Sequence, residues 1–250
     1  MSAPAASADR LRREIEFHRR ISSRAEEIWD WDTPAGRVRA ARRAGLFVEH
    51  GRLGPGRLAL ELGCGTGLFL EQVARSGAAV TGLDLSAELL AQARARCAGL
   101  PHARLVRGNA EQTAFPAASF DVVYGSSVLH HLDTEAAARE IARLLRPGGR
   151  LVFTEPNLLN PQVALMFLVR PLRPVFGVSP DEMAFTAGFI RRRLAGAGLV
   201  AVAARPFDFL HPHTPVACVA GVRRLGDALE RLPGLRWIAG SLLITAEKPR

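Results

Sequence analysis

Three glycines at alternate positions follow a run of apolar residues and one acid, in the segment 58–67. Glycine permits a sharp turn and leaves backbone N–H groups uncovered, so the segment is typical of a buried strand that ends in a ligand-binding loop before a helix. Glu61 disfavours a pyrophosphate here but suits a ligand that carries an ammonium group, and the spacing differs from the dinucleotide fingerprint G-x-G-x-x-G. We therefore predict S-adenosylmethionine as the cofactor, bound around Glu61, Gly63, Cys64, Gly65 and Gly67.

The chain contains three cysteines, Cys64, Cys97 and Cys218. Their spacing matches no zinc pattern, and their odd number argues against a disulfide framework. We therefore expect no metal site. We interpret Cys64 as a small residue packed under the cofactor, and the alternative is a reactive thiol.

Polar residues also follow the next two predicted strands. Asp84 ends the second strand, where an ionised carboxylate can accept hydrogen bonds from both ribose hydroxyls. The alternative role for Asp84 is the N-cap of the next helix, which Ser86 could fill instead. After the third strand, the Asn109 side-chain oxygen could accept from the adenine amino group while the Ala110 N–H donates to the ring. These residues fall at the carboxyl edge of the sheet, where ligands bind in α/β proteins.

Four side chains are candidates for the chemistry of group transfer. His130 and His131 follow the fourth strand, and histidine titrates in the range that a general base needs, although a structural hydrogen bond is the alternative. Glu155 ends the fifth strand and could act as a base or bind the substrate. His211 lies in a later insertion, where it is either an acceptor-site residue or part of a turn. We interpret His18, near the N-terminus, as a surface histidine, and the alternative is a contact with the cofactor carboxylate.

Alternating strand and helix patterns place these residues. Strands are predicted at 58–62, 79–84, 104–107, 120–124 and 150–154, with two late strands near 199–209 and 241–247. Helices are predicted at 67–76, 87–97, 135–145 and 185–197, and the segment Arg146-Pro147-Gly148-Gly149 is expected to form a turn after the third of them. Repeated βα units of this length predict a parallel sheet with helices on both faces.

The motifs together resemble the class I S-adenosylmethionine-dependent methyltransferases, particularly the small-molecule and lipid branch with its quinone and sterol methyltransferases. The resemblance rests on E-L-G-C-G-T-G at 61–67, L-D-L-S at 83–86, G-N-A-E at 108–111, F-P-x-x-S-F-D-V-V at 115–123, L-H-H-L at 129–132 and L-R-P-G-G-R-L at 145–151. It implies a Rossmann-like, mostly parallel seven-stranded sheet of order 3-2-1-4-5-7-6 with an antiparallel last strand. It also implies that Leu85 packs on the adenine and that Ser126 and Ser127 border the sulfonium. Asn109 stands where many relatives have aspartate, but its amide keeps an acceptor oxygen.

The rest of the chain is expected to cover this domain. Residues 1–50, with helices at 9–29 and 35–49, are predicted to form a helical lid outside the core, although an arginine-rich face there could instead contact a membrane. Residues 51–250 would form the methyltransferase domain, with cap insertions at about 156–183 and 210–238, the second containing a helix at 216–232. Apolar residues in both insertions favour a small hydrophobic or lipid-like acceptor, methylated on oxygen or carbon.

The net charge of +9 leaves other function classes open. A nucleic-acid methyltransferase is one alternative, but the chain has no Asn-Pro-Pro-Tyr or Pro-Cys motif and a single tyrosine, so nucleic acid is not the expected partner. A non-catalytic S-adenosylmethionine-binding scaffold and a nicotinamide-dependent oxidoreductase are the others. The sequence contains no apolar run long enough for a membrane-spanning helix and no apolar signal core, which predicts a soluble, cytoplasmic protein. It leaves the oligomeric state open.

Overall fold

The computed structural model describes residues 4–176, 178–179 and 181–250. Its N-terminal segment is helical. It forms α1 (Pro4–Ile21), α2 (Ala25–Ile28) and α3 (Pro34–Gly51). The single helix predicted at 9–29 is wrong, because a 3-10 turn at Ser22–Arg24 separates α1 from α2. Residues 1–3 of the predicted lid, and 177 and 180 of the first predicted cap, lie outside the described residues.

Seven strands form one sheet, and they confirm the predicted topology. The strands are β1 (Leu58–Leu62), β2 (Ala79–Asp84), β3 (Ala103–Arg107), β4 (Phe120–Ser126), β5 (Leu145–Pro156), β6 (Val200–Phe207) and β7 (Ser241–Glu247). Their spatial order is β3-β2-β1-β4-β5-β7-β6. Strands β1 to β5 pair in parallel, whereas β7 runs antiparallel to both β5 and β6. The carboxyl ends of the parallel strands therefore lie along one edge, as the sequence predicts.

Helices cover both faces of the sheet, which confirms the predicted fold class. The remaining helices are α4 (Leu68–Ala74), α5 (Ala87–Arg96), α6 (Thr134–Leu144), α7 (Pro161–Leu168), α8 (Ala187–Gly196) and α9 (Val219–Leu229). Helices α6 and α8 contribute Ile141, Ile190 and Leu194 to the core on one face. Helices α4 and α5 bury Leu70 and Leu90 on the other face.

Helix α3 belongs to this second layer. Ala40, Ala44 and Phe47 recur at helical spacing and are buried against the sheet. The Phe47 ring lies 5.1 Å from the Tyr124 ring of β4, measured between centroids. The prediction that both N-terminal helices lie outside the core is therefore wrong for α3, and only residues before Pro34 can form a lid.

Strand β5 begins earlier than the sequence predicts. The segment Arg146-Pro147-Gly148-Gly149 was expected to be a turn, but it belongs to β5, which starts directly after α6. A register shift between Phe120 and Val122 absorbs the extra residues, and Gly148 takes a positive φ of 76°. The predicted turn after α6 is wrong, because the segment is a bulge within β5, held by hydrogen bonds of the Gly148 N–H and the Gly149 carbonyl with Lys248.

The two predicted cap insertions contact each other. The Asn157 side-chain amide donates to the carbonyls of Trp237 (2.9 Å) and Ala239 (2.8 Å), and that of Asn160 donates to the carbonyl of Ile238 (2.7 Å). The caps therefore form one wall beyond the end of β5. Of the helices in the described part of the chain, none combines the length and apolar character needed to cross a bilayer.

Candidate active site

A cavity of about 950 Å³ lies at the carboxyl edge of the sheet. Loops after β1, β2 and β4 form its floor, while α1, the segment around Trp29 and the two caps surround its upper part. Its volume is near the top of the range of about 300–1,000 Å³ for small-molecule sites, which leaves room for two ligands side by side. The predicted residues on its wall are Gly63, Cys64, Gly65, Asp84, Leu85, Asn109, Ala110, Ser126, Ser127, His130, His131 and His211.

The glycine loop after β1 needs glycine for two different reasons. Gly63 has a φ of +64°, and a side chain there would come within 2.4 Å of the Val128 side chain in the loop after β4. Gly67, behind the cavity wall, has a φ of +79°, and its Cα lies so close to α5 that a side chain would meet Ala93 at 3.0 Å. Gly63 thus brings two ligand-binding loops together, whereas Gly67 allows α4 and α5 to pack.

Asp84 lies beside the glycine loop and is free to bind a ligand. One carboxylate oxygen accepts from the Gly65 N–H (2.8 Å) and the other from the Ser86 N–H (2.9 Å). The Ser86 hydroxyl caps α5 by accepting from the Leu89 N–H, so Asp84 is not the N-cap. Each Asp84 oxygen retains a lone pair, and the two could accept from the two ribose hydroxyls as predicted.

Glu61 lies under the loop and is not among the cavity-lining residues. Its side chain is 1% exposed and accepts a hydrogen bond of 3.0 Å from the Tyr124 hydroxyl. Burial raises the pKa of Glu61 well above its ordinary value, and nearby Asp84 adds to the effect although the Tyr124 bond opposes it. The predicted direct contact between Glu61 and an ammonium group stays a prediction. Burial also raises the pKa of the Cys64 thiol, which favours the packing role over the reactive one.

The residues predicted around the adenine and the sulfonium lie on the same wall. The Asn109 side-chain oxygen accepts from the Glu111 N–H at 2.9 Å and keeps a second lone pair toward the cavity wall. The Ser126 hydroxyl accepts from the Thr154 hydroxyl at 3.0 Å. Ser127 has a positive φ of 53° and is exposed to the cavity. The contacts of these residues with the cofactor stay predictions.

Glu155 positions His130 from behind the wall. One Glu155 oxygen accepts from the backbone N–H groups of Val128 (3.0 Å) and Leu129 (2.8 Å). The other oxygen lies 2.7 Å from Nδ1 of His130. Glu155 is 1% exposed, so its carboxylate orients the imidazole and is itself kept from the cavity. Nε2 of His130 is left facing the acceptor end, near Phe167 of α7.

Two carboxylates that the sequence did not single out lie beside His131. Its Nδ1 is 3.4 Å from a Glu14 oxygen and 3.7 Å from a Glu182 oxygen. Burial disfavours charge on His131, but the carboxylates of Glu14 and Glu182 outweigh it and raise the pKa of His131. In turn, the neighbouring histidines hold the pKa of Glu14 below its ordinary value despite burial.

His18 and His211 lie at different depths. The interpretation of His18 as a surface histidine is wrong, because its side chain is 20% exposed and lines the cavity, with its ring centroid 5.9 Å from that of His131. His211 lies at the exposed rim, where Nε2 is 3.0 Å from the side-chain nitrogen of Gln162. Partial burial, His213 and Arg39 lower the pKa of His211. A role for His211 in the chemistry stays a prediction.

Helices α1 and α2 are tied across the cavity by polar contacts. Arg10 donates to the His131 carbonyl at 2.6 Å and pairs with the Glu111 carboxylate. Glu26 of α2 accepts from the Thr66 hydroxyl at 2.6 Å. These contacts join the N-terminal helices to the loops after β1, β3 and β4.

Comparison with known proteins decides the family. A family model described as a methyltransferase domain matches residues 60–153. The demethylmenaquinone methyltransferase of Mycolicibacterium paratuberculosis is 35% identical over 181 residues, which cover 66% of this chain and 74% of that protein. The chain belongs to the S-adenosylmethionine-dependent methyltransferases. This membership confirms the family, the fold class and the cofactor that the motifs imply.

Two further proteins resemble this methyltransferase. The ubiquinone biosynthesis O-methyltransferase of Xanthomonas axonopodis pv. citri is 36% identical over 142 residues, which cover 55% of this chain and 59% of that protein. The chain spans 59% and 49% of the length of the first two curated relatives that it matches. An S-adenosylmethionine-dependent methyltransferase crystal structure from Mesorhizobium loti is 26% identical, has a TM-score of 0.62, and covers 83% of this chain and 98% of its own.

Proposed function

We propose that this chain transfers a methyl group from S-adenosylmethionine to oxygen or carbon of a small, hydrophobic or lipid-like acceptor. The observation that carries the proposal is one continuous cavity with the glycine loop at one end and an apolar wall from α7 at the other. A donor and an acceptor can occupy such a cavity together, which is what direct transfer between them requires.

The cofactor end of the cavity fits S-adenosylmethionine. The Gly63 turn packs closely against the loop after β4, so that both loops line the same wall, and a side chain at Gly63 would collide with Val128 and push them apart. Asp84 would hold the ribose, Asn109 and Ala110 the adenine, and Ser126 would border the reacting centre. When bound, the cofactor supplies an electrophilic methyl group on its sulfonium.

The acceptor end of the cavity is apolar along α7 and polar at the loop after β4. Val163, Met166 and Phe167 line the first part, and Phe167 is 5% exposed. His130, held by Glu155, faces the same space. An acceptor with an apolar body and one reactive hydroxyl or ring carbon would pack on α7 and direct its reactive atom toward His130.

Helices α1 and α2 would act as a lid that excludes water from this space. Their contacts through Arg10 and Glu26 support this role, and they cross from the cofactor end to the acceptor end. The caps, at about 156–183 and 210–238, would complete the enclosure. The apolar lining that α7 gives to the acceptor end favours a small apolar molecule over nucleic acid.

The names of the relatives suggest the acceptor class. Those relatives are named for ubiquinone biosynthesis and demethylmenaquinone methylation. We infer that a prenylated quinol or phenol is the first acceptor to test with this chain. The location in the cytoplasm, and contact with a membrane surface, stay predictions that cell fractionation would test.

Two measurements test the proposed function. Calorimetry with S-adenosylmethionine and S-adenosylhomocysteine measures cofactor binding, and labelled-methyl transfer is then measured with prenylated quinols, a lipid extract, RNA and DNA. Transfer to a quinol or an extracted lipid supports the proposal. Transfer to nucleic acid alone, or cofactor binding without transfer to any acceptor, contradicts it and supports the alternative of a nucleic-acid methyltransferase or a binding scaffold.

A matched pair of variants locates the acceptor end. Phe167→Ala should raise the KM for the acceptor and leave cofactor affinity unchanged, because it removes a buried ring from the apolar wall. Leu168→Ala is the control, because Leu168 is the next residue on α7 and is 65% exposed. An equal effect of both variants on KM would argue against an acceptor at this wall.

A further inference from the structure

His130, His131 and Glu182 direct donor atoms toward one another at the acceptor end of the cavity. Nε2 of His130 lies 3.9 Å from one Glu182 oxygen, and Nδ1 of His131 lies 3.7 Å from the other. One ligand atom from each residue lies within 4.8 Å of the other two. We propose that these three residues, the histidine–glutamate site, bind a first-row transition-metal dication such as Zn²⁺.

The distances in the histidine–glutamate site suit a metal better than hydrogen bonds. Separations of 3.7 and 3.9 Å exceed the length of an N–H···O bond. Donor atoms around a tetrahedral Zn²⁺, with bonds of about 2.0–2.1 Å, lie about 3.3 Å apart. The Glu182 oxygens would therefore need to approach the two imidazole nitrogens by about 0.4–0.6 Å, and the three donor atoms, now within 4.8 Å of one another, would contract around the ion.

Glu14 of α1 offers a fourth donor and an independent observation. Its side chain is 7% exposed, and its Oε2 lies 3.4 Å from Nδ1 of His131. Neither of these buried atoms has a hydrogen-bond partner among the described residues. Buried polar atoms without partners are costly, so their convergence on one point indicates a missing ligand. A shared dication would satisfy both atoms.

Glu155 supplies the outer shell that a metal-binding histidine requires. A ligating imidazole usually donates its second ring N–H to a carboxylate, which fixes the tautomer and the ring orientation. Nδ1 of His130 lies 2.7 Å from Glu155, whose other oxygen is held by two backbone N–H groups. This arrangement leaves the Nε2 lone pair of His130 directed at the histidine–glutamate site.

The donor set indicates the class of metal. Two imidazole nitrogens with two carboxylate oxygens suit Zn²⁺ and similar borderline ions, whereas Mg²⁺ and Ca²⁺ prefer oxygen ligands. The charges of Glu14 and Glu182 balance those of a dication. An ion on Nε2 would exclude His130 as a general base, because its lone pair would be engaged. It would also join α1, the loop after β4 and the first cap.

Binding of Zn²⁺ to the whole chain tests the proposal. Calorimetry and metal analysis should give one Zn²⁺ per chain, and Co²⁺ should give the visible absorption of a four-coordinate site. Glu182→Gln and His131→Asn should each weaken binding by about ten-fold or more, because each removes a ligand. The metal is titrated without S-adenosylmethionine, so the result does not depend on methyl transfer.

Two exposed residues provide matched controls. Glu16→Gln changes the same residue type on the same helix as Glu14, but at a side chain that is 52% exposed. His102→Asn changes an exposed histidine far along the chain. Both should bind Zn²⁺ as the wild type does. Binding that is lost equally in the controls, or kept fully in Glu182→Gln and His131→Asn, overturns the proposal, as does a wild-type chain that binds no ion.

Hydrogen exchange gives a second measurement of metal binding that does not depend on methyl transfer. Zn²⁺ should slow amide exchange over residues 9–21 in the wild type and in Glu16→Gln, because the ion would fasten α1 to the cavity. The same slowing should be absent in Glu14→Gln. Thermal unfolding without metal checks that each variant folds. Zn²⁺-dependent slowing that persists in Glu14→Gln overturns the fourth-ligand assignment, and no slowing in any folded form overturns the site.

Discussion

Replacement of Asp84 by asparagine separates cofactor binding from support of the fold. The Asp84 carboxylate accepts from the N–H groups of Gly65 and Ser86, at 2.8 and 2.9 Å, and keeps one lone pair on each oxygen for the ribose. Asparagine has one acceptor oxygen and one NH2 group, which can only donate. The NH2 group must therefore replace an acceptor oxygen that faces either a backbone N–H or a ribose hydroxyl. The variant should therefore lose at least one charge-assisted hydrogen bond to the cofactor.

The loss of a hydrogen bond to a charged group costs about 1.5–3 kcal/mol. The dissociation constant for S-adenosylhomocysteine should then rise about 10- to 150-fold in Asp84→Asn. Calorimetry at 25 °C and constant salt measures this ratio directly. Thermal unfolding of the ligand-free variant reports how far the loss of the Gly65 contact also loosens the loop.

Asp121→Asn is the matched control for Asp84→Asn. The Asp121 carboxylate also accepts from a backbone N–H, that of Leu58 at 2.8 Å, and pairs with Arg146, but it lies at the opposite, amino edge of the sheet. It should lower the melting temperature and leave cofactor affinity unchanged. Affinity in Asp84→Asn within about two-fold of the wild type, or an equal loss in Asp121→Asn, would refute the ribose assignment.

Three other variants test the lid and the buried charges. Arg10→Gln should release S-adenosylhomocysteine several-fold faster in stopped-flow measurements, because about 1 kcal/mol of lid contact is lost; an unchanged rate would exclude α1 as a lid. The pKa of Glu61 is raised in the folded state, so its contribution to stability is full below about pH 4 and is lost as the pH rises toward that pKa. In urea unfolding, Glu61→Gln should therefore gain stability relative to the wild type between about pH 5 and pH 8. A stability difference that does not change with pH would contradict this. Asp208→Asn should lose about 3–5 kcal/mol at pH 7, because it leaves Arg43 buried without its partner at 2.7 Å. Arg43 and Arg39 lower the pKa of Asp208 despite burial, so the contribution of Asp208 to stability is present above about pH 4 and is lost as the pH falls through its folded-state pKa. The loss of stability in Asp208→Asn should therefore become smaller at low pH. A loss that stays constant with pH would count against the Arg43–Asp208 ion pair.

Local patterns were enough to predict the sheet and the cofactor loop. The alternation of apolar runs with glycine turns located β1, β2 and β4, and the serine after β2 pointed to the N-cap of α5, which the structure confirms for Ser86. These features depend on neighbours within a few positions, so periodicity and turn chemistry report them. The errors arose where pairing with distant segments decides, as in β5, where hydrogen bonds of Lys248 with Gly148 and Gly149 hold a bulge within the strand.

The sequence by itself determined the order of βα units, the glycine loop and the candidate histidines His130 and His131. Only the tertiary structure decided that α3 is a core helix, that Glu61 and Glu155 lie behind the cavity wall, and that Glu14 and Glu182 meet His131. The physical reason is separation along the chain. Residues as far apart in the chain as Glu14 and His131, or His131 and Glu182, leave no periodic trace of their contact, because the folded sheet and its caps bring them together and local propensity does not.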